Sequence, residues 1–158
     1  MFSTYVLPKK EIETTASNIN GLIMAEGQLM RKGTAVETVS VKEALRQFIS
    51  YLQSQENKVI LTGHYIKRYD NAVLLSAADK DIKDKLGQCI EGFIDTHTVF
   101  RSERPGLTSY KQTQLFQHYL GESYEAHEAT ADVRALKRLI NNQFPDQSVL
   151  YKYIEKWE

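Results

Sequence analysis

One cysteine, one tryptophan, three prolines and no long apolar run distinguish this chain of 158 residues. A lone Cys89 cannot form an internal disulfide, and no Cys or His cluster surrounds it, so neither an oxidised framework nor a structural zinc is suggested. It reads as a plain buried thiol. The apolar runs are only a few residues long, against the roughly 20 that a membrane-spanning helix needs, and the N-terminus shows no basic-then-apolar leader. The expectation is a protein without a membrane segment, intracellular, nuclear or cytoplasmic. Charge of one sign is not in excess either: 20 acidic residues balance 20 basic ones, so a polyanion must be met by a local patch. Repeats, low-complexity tracts and linkers are absent. The length suits a single domain over residues 1–158, burying about two-thirds of its unfolded surface.

Residues 2–7 are rich in aromatic and β-branched side chains and are stopped by Pro8, which predicts a strand followed by a loop to about Val39. Ser40 and Glu43 have capping-box spacing. Val41, Leu45, Phe48, Ile49 and Leu52 follow at helical intervals and predict an amphipathic helix. Residues 58–63 form a short apolar run closed by Gly63, the pattern of a buried strand, and a turn over residues 64–69 follows. Asp70 and Asn71 stand as an N-cap signal before Ala72, Val73, Leu74 and Leu75. Ile82, Leu86 and Ile90 carry helical spacing to a strand-like piece at Phe93 and Ile94, which ends at Asp95 and Thr96. After a loop at Pro105 and Gly106, Ser109 is placed to cap a helix through Leu120, closed by Gly121. The last strong helix, about residues 126–141, sets Ala129, Val133, Leu136 and Ile140 on one stripe. Leu150, Tyr153, Ile154 and Trp157 then pack back on the body. Strands alternating with helices predict an α/β layer structure.

Asp132 falls on the flank of that stripe, where an ionised carboxylate needs a hydrogen-bonded cation, a proton or a metal. Asp70 stands at the outlet of a strand, the place where open α/β sheets put their ligand sites. The two carboxylates can converge on one divalent cation, and hard cations such as magnesium prefer such oxygens. His127, five residues before Asp132, has the ordinary pKa of about 6.5 that lets an imidazole take a proton from water. By default Asp70 alone is an N-cap and a lone His is a surface residue. His118 is read as such, and the pattern assigns nothing to His97.

The order of these pieces resembles the DEDD exonucleases with a catalytic histidine, similar to the proofreading subunit of bacterial replicases. Residues 63–70, Gly-His-Tyr-Ile-Lys-Arg-Tyr-Asp, look like the family's second motif, and their Arg-Tyr-Asp ending is similar to the three-prime repair exonucleases. His127 with Asp132 matches the third motif, His-x4-Asp, and Asp95-Thr96 resembles the strand-end Asp-Thr between them. Residues 104–120 also look like the exonuclease-like C-terminal region of some promyelocytic leukaemia protein forms. The resemblance implies a ribonuclease H-like mixed sheet flanked by helices and a 3′-to-5′ exonuclease acting on single-stranded DNA or RNA ends. It further implies two magnesium or manganese ions held or oriented by Asp70 and Asp132, His127 as the general base, and His64, Tyr65 and Tyr69 against the substrate.

Two departures bear on activity. Tyr65 stands where the family usually has Asn, and the first motif, Asp-x-Glu on a first strand, is missing; Glu11-Ile12-Glu13 lies in a loop after Pro8. The expectation is therefore an N-terminally truncated domain, inactive as it stands, with a sheet edge next to residues 2–7 open to the missing strands or to a protein partner. The alternative is a degenerate exonuclease-like domain that serves as a protein-interaction or nucleic-acid-binding module. An α/β domain of unrelated function is the bland third reading.

Overall fold

A computed structural model of the chain describes residues 1–157. The backbone divides into two compact units, residues 1–51 and residue 52 onward, and both combine helices with strands. No helix among the described residues is long and apolar enough to cross a membrane.

In the first unit, β1 (Tyr5–Val6) ends before Pro8 and pairs in parallel with β5 (Thr38–Val39). Between them, where the sequence predicts a loop, lie α1 (Thr14–Asn20) and an antiparallel sheet of β2 (Leu22–Ala25), β3 (Gln28–Arg31) and β4 (Thr34–Ala35). Two tight turns build this sheet. Glu26-Gly27 has φ of 51° and 77°, and Lys32-Gly33 has 48° and 82°, the left-handed pairs that two-residue hairpins require. Asn or Asp usually announces the first position of such a turn. Glu and Lys do not, so the hairpins escape the sequence pattern. Helix α2 (Val41–Gln53) is as expected, with Ser40 Oγ accepting the Glu43 N–H at 3.1 Å. Phe2 packs on it against Phe48 and Tyr51.

The second unit carries a mixed sheet in the order β6 (Val59–Gly63), β7 (Ile90–Asp95), β8 (Glu155–Lys156). β6 and β7 are parallel, and β8 returns antiparallel to β7. α3 (Asp70–Ala77) and α4 (Lys80–Cys89) connect the parallel strands; α5 (Thr96–Glu103), α6 (Gln112–Leu120), α7 (Ala129–Gln143) and a 3-10 turn (Gln147–Tyr153) follow. Ile94 on β7, Val99 and Phe100 on α5, Leu115 and Phe116 on α6, and Leu136 and Leu139 on α7 share one buried core.

Several local expectations shift. Ile90 opens β7 with an extended backbone instead of continuing the helix, because a residue buried at 1% exposure satisfies either spacing and Cys89 closes α4. Ser109 binds the Lys111 N–H two residues ahead of the cap position of α6, which starts at Gln112 and is closed by Gly121 as expected. On α7 the stripe rotates to Ala135, Leu136, Leu139 and Ile140, which leaves Val133 58% exposed. Asp132 is half-buried beside it. Asp70 is the first residue of α3, and Tyr69 takes the cap position without a side-chain bond.

Candidate functional site

The parallel strands end side by side, Gly63 opposite Asp95, so the segments that follow them meet at one edge of the sheet. His64, Tyr65, Tyr69 and Asp70 come from the β6 side, and Thr96 and His97 from the β7 side. Asp95 ties the two together. Its Oδ1 accepts the backbone N–H of Tyr65 and that of His97, each at 3.0 Å. This bond holds Tyr65 in the left-handed region at φ 60°, a conformation that costs a non-glycine residue on the order of 1–3 kcal/mol and that clusters at functional sites.

The side chains at this edge form a cluster of rings. Tyr65 and His97 stack with centroids 3.9 Å apart, and the Tyr65 hydroxyl lies 2.8 Å from His97 Nε2. His64 meets both edge-on, and Tyr69 meets Tyr65 edge-on at 6.2 Å. Tyr69 is 58% exposed, with the Arg68 guanidinium 5.6 Å from its ring centre. His64 Nε2–H donates to the Tyr110 carbonyl at 2.8 Å, and Nδ1 lies 3.0 Å from the Thr96 hydroxyl, whose one hydrogen is also within reach of the Gly63 carbonyl at 3.2 Å. Burial lowers the His64 pKa and keeps the ring neutral, against the raising effect of the Tyr110 carbonyl. Beside the cluster a groove of about 620 Å³ opens between Asn71 and Leu75 on α3 and Phe93, Asp95 and Trp157 on the sheet side.

Asp70 reaches the surface, yet enough protein surrounds its carboxyl that burial raises the pKa, and the charge of Asp95 adds to the rise. Its ionised form therefore weakens the fold. A raised carboxyl contributes stability while protonated and loses it as pH climbs through the folded-state pKa. Asp70→Asn is expected to raise the melting temperature at neutral pH, with the gain disappearing as the buffer is taken down through the carboxylate range. Melting curves of both proteins across that range check it, and a variant less stable at neutral pH would contradict it.

His127 and Asp132 form a second group. His127 sits just before α7 with φ 69°, and its backbone N–H donates to Asp132 Oδ2 at 3.1 Å. Glu128, between them, caps the helix by accepting the Thr130 and Ala131 N–H groups. The Tyr124 hydroxyl bonds to Asp132, and burial together with that bond pushes the Tyr124 pKa up to about 12. Gln112 Nε2 donates to Tyr124 Oη and to the Asp132 carbonyl, both at 2.9 Å, and so fixes α6 to the start of α7. The His127 imidazole is left at the surface.

Among the described residues, no group of three or more His, Cys, Asp and Glu side chains is placed to hold a metal ion. Asp132 accepts an N–H and bonds to a phenol, and the charge of Asp95 opposes that of Asp70. The sequence marks Asp95-Thr96 as a strand end that resembles the family's Asp-Thr and assigns nothing to His97, although Asp95 anchors the ring cluster and His97 is one of its rings. Nothing in the pattern announces Tyr110, Gln112 or Tyr124, which act through a backbone carbonyl, an amide and a phenol. No family model matches the chain, and no curated protein does either.

Proposed function

We propose that the chain is a ribonuclease H-like, exonuclease-type domain that engages the 3′ end of single-stranded nucleic acid. The observation that carries this reading is the ring cluster at the common outlet of β6 and β7, with an exposed Tyr69 beside the Arg68 guanidinium and next to a groove of about 620 Å³. Aromatic faces stack on any base, and each such stack is worth about 1–3 kcal/mol. His64, Tyr65 and Tyr69 thus serve as substrate-binding residues, and the ordered segments 63–70 and 127–132 give the domain its exonuclease character. The described donors bind without cutting. By resemblance the bridging carboxylate belongs to a further strand, and the outer edge of β6, which pairs with no other strand among the described residues, has room for one.

The protein is expected to bind a fluorescent single-stranded oligonucleotide, and Tyr69→Ala is expected to weaken binding about tenfold or more, the loss of one stacked base. Fluorescence anisotropy titrations measure both. Equal affinity in the two proteins, or no binding by the unaltered chain, would overturn the reading.

A further inference from the structure

We propose that the groove between α3 and β7 takes one base of the single strand and selects adenine or cytosine, the bases that carry an amino group beside an unprotonated ring nitrogen. The ligand class, single-stranded nucleic acid, rests on the function proposed above; the choice of base rests on the groove.

The groove adjoins the ring cluster. Asn71 lies two residues beyond Tyr69, and Asp95, which also lines the groove, anchors the backbones of Tyr65 and His97. Ile66, Leu75, Phe93 and Trp157 supply apolar walls, and the volume of about 620 Å³ is that of a small-molecule site. Such walls accept the flat faces of a base and leave its polar edge to a few groups.

Charge decides which part of a nucleotide enters. Among the charged residues that line the groove, Lys67 pairs with Glu155 at 2.7 Å and Lys156 with Glu91 at 2.9 Å. Asp95 is left without an ion pair, since Lys67 acts on it only from a distance. Its carboxylate repels a phosphate, so the backbone of the strand stays outside with the exposed Arg68, and the neutral base goes in.

Two groups have hydrogen-bonding capacity to spare. Asp95 Oδ1 accepts two backbone N–H groups, and Oδ2 has no partner among the described residues. The Asn71 backbone N–H donates to the Ile66 carbonyl at 2.9 Å, while its carboxamide has no partner among the described residues. A carboxamide both donates and accepts, so it can turn to suit any base edge, whereas a carboxylate only accepts. Selection therefore falls to Asp95. The amino group of adenine or cytosine has two hydrogens, one for Asn71 Oδ1 and one for Asp95 Oδ2, and the ring nitrogen beside it accepts from Asn71 Nδ2. Guanine, thymine and uracil hold a carbonyl oxygen at that place, which the carboxylate repels.

Anisotropy titrations with single-stranded oligonucleotides of deoxycytidine and of deoxyuridine, equal in length, test the selection, because the two bases differ only at this edge. The deoxycytidine strand is expected to bind about fivefold or more tightly, the lower end of what a well-made base contact discriminates. Asn71→Ala is expected to bring the two affinities together. Asp95→Asn keeps one oxygen for the two backbone N–H groups and puts an N–H donor where Oδ2 stands, so the preference is expected to turn toward deoxyuridine, a reversal that loss of the fold cannot produce. Equal affinities in the unaltered protein, or a deoxycytidine preference that both variants keep, would overturn the selection and leave the nucleic-acid function standing. No binding of either oligonucleotide would refute that function, and the selection with it.

Discussion

Phe100→Ala is expected to lower the unfolding free energy by about 3–5 kcal/mol, the usual cost of removing a buried aromatic ring. Phe100 is 0% exposed and packs against Phe144, with ring centroids 5.1 Å apart, and against Tyr119 at 6.1 Å. Three elements, α5, α6 and the end of α7, therefore lose their common contact in one substitution, and the rigid sheet beside them cannot collapse into the space. Set against a total stability on the order of 5–15 kcal/mol, that is a large share. Urea denaturation of the two proteins gives the difference. A loss under 1 kcal/mol would mean that the core is not organised around this ring.

Gly92→Ala is expected to detach β8. Gly92 pairs with Lys156, and a Cβ placed on it would lie only 2.3 Å from the Glu155 carbonyl oxygen and 3.0 Å from Ile154 Cγ2. The first obstacle is backbone, which cannot rotate out of the way as a side-chain tip does. Overpacking of this kind costs about 1–3 kcal/mol and sometimes more, and here it falls on a two-residue strand with little to resist it. Trp157, the single tryptophan of the sequence, packs tilted against Phe93 with ring centroids 5.2 Å apart immediately after β8 and so reports the event. Its emission is expected to shift to the red in Gly92→Ala, with most of the secondary structure retained. An unchanged spectrum would show that the strand tolerates the methyl group.

What the sequence discloses depends on how local the cause is. The capped helix α2, the apolar strand β6 and the Gly-closed helix α6 follow from patterns within a dozen residues, and they form where expected. The rotation of α7 does not. Val133 and Leu139 are both apolar on a helical repeat, and only packing against α6 and Phe144 decides which one is buried. The hairpins of the first unit were hidden for another reason, since Glu26 and Lys32 accept a left-handed backbone that their residue types do not advertise. The same holds at the site. Tyr65 and His127 both have positive φ, each with its backbone N–H held by a carboxylate, Asp95 from the neighbouring strand for one and Asp132 five residues on for the other. Asp70 was legible as a strand-outlet carboxylate, but the opposing charge of Asp95, 25 positions away, reaches it because two parallel strands end together.

The central claim is that this site binds a single-stranded end without a complete two-metal centre. The direct measurement incubates the purified chain with an end-labelled single-stranded oligonucleotide and either magnesium or manganese, following both binding and length. The account predicts a bound oligonucleotide of unchanged length with either ion. Metal-dependent shortening from the 3′ end that is lost in Asp132→Asn would contradict it, because Asp132 would then be serving a metal centre that the described residues do not make up.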